Sequence, residues 1–127
     1  MEKQVIKHPE MPQPYGAYST VVRAGDFIFV SGQAGILPET GAKAGDDFES
    51  QARQAFKNLK TCLKCSGSSM SDVVKVITWL GDADERAALN ELFGEYFPLQ
   101  PPARSTPIVD LPMGLLLSIE ATAIARD

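Results

Sequence analysis

Residues 101–125 read PPARSTPIVDLPMGLLLSIEATAIA. Pro101-Pro102 and Leu111-Pro112-Met113-Gly114 punctuate two extended apolar runs, because proline fixes φ and removes a backbone donor. Arg104 opens the first run. Glu120 sits inside the second, between Ile119 and Ala121. Strand side chains alternate faces, so Ser118, Glu120 and Thr122 share one face while Leu117, Ile119 and Ala121 share the other. Glu120 therefore has two readings. It belongs to a strand with one wet face, as antiparallel sheets often have, or it forms a small-molecule site with Arg104.

Working back from this segment, Pro98 ends a helix of about Asp84–Phe97 whose apolar stripe is Leu89, Leu92, Phe93, Tyr96 and Phe97. Before it, Val73–Leu80 (VVKVITWL) is a β-branched strand. A first helix opens near Asp46, which has capping-box spacing to Glu49. Its stripe is Ala52, Ala55, Phe56, Leu59, Cys62 and Leu63, and Gly67 stops it. Ala17–Ala24 and Phe27–Gly32 are two extended runs separated by Gly25-Asp26, a hairpin signal. Val5-Ile6 marks an edge strand before Pro9, Pro12 and Pro14. The order is strand, strand, strand, helix, strand, helix, strand, strand. It predicts an α+β domain over residues 1–127, one sheet with both helices on one face. The uncovered face carries Val21, Phe29, Ile77 or Trp79 depending on register, and an uncovered apolar face predicts self-association.

The totals bound the function. The chain has 127 residues, 44% apolar and 22% charged, with a formal net charge of -4. That length suits one domain with a real core. The acidic balance argues against nucleic acid and anionic membrane as partners, so an anionic substrate needs a local cation. No apolar run approaches a membrane span. The first residues lack an apolar signal core, and two cysteines suit a reducing compartment, so a cytoplasmic location is expected.

Few motifs carry chemistry. Cys62 and Cys65 form C-x-x-C, but at the end of a helix, where nothing lowers a thiol pKa, and they read as packing residues. His8 is the single histidine. With it alone, neither a Ser-His-Asp arrangement nor a histidine-based metal site is expected. The run from Ser31 to Gly35 lacks the lysine of a phosphate loop. Trp79 reads as core or interface. Arg104, stiffened by the prolines before it, has the residue type suited to capturing a carboxylate. Its plainer reading is an ion pair.

Several short pieces carry a likeness in order and correct spacing. They are Gly16-Ala17-Tyr18-Ser19, Phe29-Val30-Ser31-Gly32-Gln33, Gln54–Leu59, Asp72–Lys75, Asn90–Phe93 before Tyr96-Phe97, Pro102–Ser105, Leu111-Pro112 and Ile119–Ala121. In these the chain resembles the RidA (YjgF/YER057c/UK114) family of enamine/imine deaminases over nearly its whole length. The resemblance implies a chorismate-mutase-like fold and a homotrimer whose three sheets form an inner barrel, with sites in clefts between subunits. It also implies hydrolysis of reactive 2-imino or 2-enamino acids to 2-oxo acids and ammonia, with no metal or cofactor. Arg104 would hold the substrate carboxylate, and Glu120 would position the attacking water and accept its proton. Tyr18, Asn90, Ser31 and Gly32 would line the cleft, and the Thr106 backbone would touch the substrate. Three positions depart from the family pattern. Ala17 replaces a proline, Thr106 stands where cysteine is common, and Ser118 where an acidic residue is common. The last two bear on substrate choice. The alternatives are a dedicated deaminase of a catabolic enamine such as 2-aminomuconate, and a non-catalytic ligand-binding or regulatory protein.

Overall fold

The computed structural model describes residues 1–126. It runs β1 (Lys3–Ile6), β2 (Val21–Ala24), β3 (Phe27–Ala34), α1 (Phe48–Cys65), β4 (Val73–Leu80), α2 (Arg86–Tyr96), β5 (Ala103–Ser105) and β6 (Leu117–Ile124). This is the element order the periodicities predicted. The strands form one sheet in the order β1-β2-β3-β6-β4-β5. Neighbours are antiparallel except β4 and β5, which are parallel and joined through α2. A parallel pair needs such a crossover, since a tight turn cannot reverse the chain twice.

Both helices lie on one face. Ile28 and Val30 of β3, Val76 and Leu80 of β4, and Leu117 and Ile119 of β6 point into one core with Ala52, Ala55, Phe56 and Leu59 of α1. Phe56, fully buried, stacks on Tyr96 with ring centroids 4.3 Å apart and meets Phe93 and Phe97 edge-on. Burying such a ring contributes roughly 1.5–3 kcal/mol, and here the same ring joins α1 to α2. Phe27 and Phe29 remain 46% exposed on the opposite face. They share it with Ile77 and Trp79, which pair with Glu120 and Ser118 of β6.

The structure corrects four details. Val21 pairs with Val30 and is fully buried, so it belongs to the covered face and not the open one. The first helix is capped by Asp47, whose carboxylate accepts the Ser50 N–H at 2.9 Å. Asp46, one residue earlier, pairs with Lys43 instead. The second helix begins with a 3-10 turn over Ala83–Glu85 before α2 proper. Residues 17–20 are not strand. β2 starts only at Val21, and β3 continues past Gly32 to Ala34. The β2–β3 hairpin turns on Gly25 with φ +60°, as a two-residue hairpin with glycine first requires.

Candidate functional site

The register places Glu120 on the open face. Its neighbours Ile119 and Ala121 are buried under the helices, and Glu120 pairs across with Ile77. Trp79, diagonal to it, donates its indole N–H to Glu120 Oε1 at 2.7 Å. Diagonal cross-strand neighbours lie within reach of an aromatic side chain. The sequence reading, which places Trp79 in core or interface, misses this contact. Face alternation could have found it, since Trp79 and Glu120 both fall on the face that no helix covers.

On its other side Glu120 meets a β-bulge. Val30 pairs with Ala121 and Gln33 with Ile119, so Ser31 and Gly32 together face Glu120. Bulges break the ladder and re-aim backbone groups, and they recur beside active sites. The bulge is tight here, and a Cβ on Gly32 would come within 2.7 Å of Ser118 Oγ, so the serine side chain would have to turn away. Ser31 Oγ donates to the Ser19 carbonyl at 2.6 Å. That bond draws residues 12–20 against the bulge and brings Tyr18 with them. Tyr18 Oη accepts the Tyr15 N–H at 3.3 Å. Tyr18, Gly32 and Ser118 border a cavity of about 470 Å³ at this end of the sheet.

Arg104 lies elsewhere. It pairs with buried Val76, so it sits on the helix face of the edge strand β5. Its guanidinium lies over the Phe93 ring, 4.7 Å from the centroid, and donates through Nη2 to Asn90 Oδ1. Among the described residues it has no carboxylate partner. Stacked on a ring and steered by an amide, it remains free to pair with an anion. Thr106, two residues on, shares a hydrogen bond with Thr78 through their hydroxyls at 2.8 Å.

One chain thus brings the expected residues together in two groups. Arg104, Asn90 and Thr106 are on the helix side of one sheet edge. Glu120, Ser31, Gly32 and Tyr18 are on the open side or at its end. β4 lies between the strands that carry Arg104 and Glu120, and strands are spaced about 4.8 Å apart.

No histidine-based metal site is expected, yet the fold gathers other ligand-type side chains around the single histidine. The loop after β1 folds over the end of α1, and His8, Glu10 and Cys65 place ligand atoms within 4.8 Å of one another. The set does not fit a metal as it stands. His8 Nδ1 is already engaged, accepting the Glu10 N–H at 3.1 Å. Burial first, then Glu10, pushes the Cys65 thiol up. Burial pushes the Cys62 thiol up to about 12, which fits its packing role.

The endoribonuclease L-PSP family model matches residues 8–125. The chain is 40% identical over 122 residues to a RutC family protein of Pyrococcus horikoshii, covering 95% of this chain and 97% of that one. It is 36% identical over 123 residues to the 2-iminobutanoate/2-iminopropanoate deaminase of Dermatophagoides farinae, covering 96% of each. The crystal structure of RidA from the Antarctic bacterium Psychrobacter superposes with a TM-score of 0.90 at 36% identity, covering 95% of this chain and 98% of that one. No described helix is long and apolar enough to cross a membrane.

Proposed function

The chain belongs to the endoribonuclease L-PSP (YjgF/RidA) family, and from that premise we propose that it is a deaminase hydrolysing reactive 2-imino and 2-enamino acids to 2-oxo acids and ammonia. The observation that carries this reading is a cation and a carboxylate, each without a counter-ion among the described residues. Arg104 has Asn90 and Phe93 as its partners there, and Glu120 has Trp79. A structural ion pair would have joined two such groups.

The two groups lie on opposite faces of one sheet, so the site is completed by a second copy. We place three copies with their open faces closed into an inner barrel. Covering Phe27, Phe29 and Ile77 drives that closure. At each junction the Arg104 group of one copy meets the Glu120 group of the next, as a cyclic assembly repeats one heterologous contact.

In that cleft Arg104 takes the substrate carboxylate, with Asn90 fixing the guanidinium. Glu120 accepts a proton from water as the water oxygen bonds to the carbon of the protonated imine. The resulting carbinolamine holds a hydroxyl and an amino group on one carbon. Protonated Glu120 returns its proton to the nitrogen, the C–N bond breaks with its electron pair leaving on ammonia, and the hydroxyl proton passes back to the Glu120 carboxylate and on to the ammonia as the 2-oxo acid forms. One water is consumed and one ammonia released, with no change of oxidation state. Decay of 2-iminopropanoate made in situ by an amino-acid oxidase tests the reading. An unchanged decay rate with folded, assembled protein would end it.

The nuclease in the family's description finds no support in the charge of this chain, which is -4, since nucleic-acid sites need a basic patch. Treatment with a chelator should leave imine turnover unchanged, because every step uses Arg104, Glu120 and water. Loss of activity that a divalent metal restores would refute this.

Trp79 is a positioning residue in this scheme. Holding Oε1 leaves the second carboxylate oxygen of Glu120 for the water. Trp79→Phe keeps the ring and removes the N–H. A hydrogen bond to a charged group contributes about 1.5–3 kcal/mol, so kcat should fall by roughly tenfold or more, while calorimetric binding of 2-oxobutyrate stays level. Equal losses in both would make Trp79 a general support of the fold.

A further inference from the structure

The cavity beside the bulge deepens the deaminase reading, on which this inference rests. Its walls are largely apolar. Tyr15 and Tyr18 come from the segment before β2, Leu37 from the loop after β3, and Leu111 and Met113 from the loop before β6. None of the residues bordering it carries a formal charge. Its amides are already engaged with backbone carbonyls. Asn58 donates to Ala34 and Ile36, Gln33 to Ser31, and Gln13 to Met11. Lys43 does not border the cavity; its Nζ lies near Gly114 and is paired with Asp46 at 3.5 Å. Met113 takes a left-handed φ of 62° at the rim. Such backbone outliers persist where the surroundings fix them, and they gather at ligand clamps.

Gly32 and Ser118 form the end of the cavity nearest Glu120. Gly32 lies opposite Glu120 in the bulge, and Ser118 is two residues from it on the same face. A substrate whose reacting carbon stands at Glu120 can therefore direct its side chain into this space. We propose that the cavity receives that side chain and selects 2-imino monocarboxylic acids with bulky apolar side chains, excluding those that carry a second carboxylate. An ionised group would lose its water there and gain no partner. A branched alkyl or aryl group would bury more apolar surface against these walls than a methyl group does. This separates the protein from a deaminase of 2-aminomuconate, whose second carboxylate would meet no cation among the residues bordering the cavity.

Calorimetry with three inert 2-oxo acids tests the pocket. On the assembled protein, 4-methyl-2-oxopentanoate should bind about tenfold or more tightly than pyruvate, since each added methylene in an apolar pocket discriminates by roughly tenfold or more. 2-Oxoglutarate should bind more weakly than pyruvate. Met113→Lys, on an exposed rim, should tighten 2-oxoglutarate and weaken 4-methyl-2-oxopentanoate. An equal or reversed order in the parent protein, or no binding by any of the three, overturns the proposal. A kinetic arm keeps the two readings apart, with imines made from leucine and alanine by an amino-acid oxidase. If the binding order holds and neither imine decays faster, the deaminase reading fails and the pocket stands. If only the alanine imine decays faster, the deaminase reading stands and the pocket fails.

Discussion

Arg104→Ala should abolish both imine turnover and binding of 2-oxobutyrate, whereas Glu120→Gln should abolish turnover and keep binding. In the proposed site the carboxylate that Arg104 meets is present in substrate, product and transition state alike, so loss of Arg104 should weaken every complex. Truncating one partner of a hydrogen-bonded charge pair costs on the order of 2–5 kcal/mol. Arg104 is half-buried and stacked on Phe93, so no mobile surface cation replaces it. In the proposed mechanism Glu120 acts only when water adds. A neutral amide cannot take that proton, and loss of a general base costs roughly a hundred- to ten-thousand-fold in rate. Glutamine still offers an amide oxygen to the Trp79 N–H, so the local packing survives the change. With a negative charge removed from beside an anionic ligand, 2-oxobutyrate should bind as well as before or more tightly. Calorimetry of both variants beside the coupled imine assay reads the split. Turnover by Glu120→Gln at the parent rate would return Glu120 to the wet face of an ordinary strand.

Most elements of the fold are legible in the residues themselves. The eight residues of β4 are bounded in the sequence as they fold, because β-branched residues recur between Asp72 and Gly81. The α1 stripe is legible for the same kind of reason, as a 3.6-residue period over five turns admits one buried face. The expected N-cap is off by one residue. Two adjacent aspartates satisfy the same local rule, and only the meeting of Asp47 with the Ser50 N–H chooses between them. Residue type points to Arg104 and Glu120 but not to both of the faces they occupy. Glu120 can be placed by alternation within its own strand. Arg104 lies in a strand of only three residues, too short to show a period, and its face follows from pairing with Val76, 28 positions away in the chain. The bulge at Ser31-Gly32 is equally hidden. It exists only as a mismatch between two strands, and a single run of residues such as FVSGQA reads as regular strand. Trp79 is the instructive miss. Its composition argues for burial, while its partner, at 41 positions' separation, argues for a site.

Mixing the two inactive variants should restore activity. If Arg104 and Glu120 met within one chain, every site in a mixture of Arg104→Ala and Glu120→Gln subunits would lack one group. In the proposed trimer the opposite faces they occupy put them in different copies at each junction. In a cyclic trimer holding both variants, one junction joins an intact Arg104 from the Glu120→Gln subunit to an intact Glu120 from the Arg104→Ala subunit. Random reassembly of equal amounts makes about three quarters of trimers mixed, with one sound site in three, so about a quarter of parental activity should return. Neither variant reassembled alone should recover any. The measurement is joint unfolding and refolding of the two variants, light scattering to establish a trimer mass, and then the imine assay. A trimer that stays inactive after mixing would place both groups in one subunit's share of the site. A monomer mass at micromolar concentration would remove the shared cleft altogether, and with it the account of why a guanidinium and a carboxylate stand unpaired on two sides of one sheet.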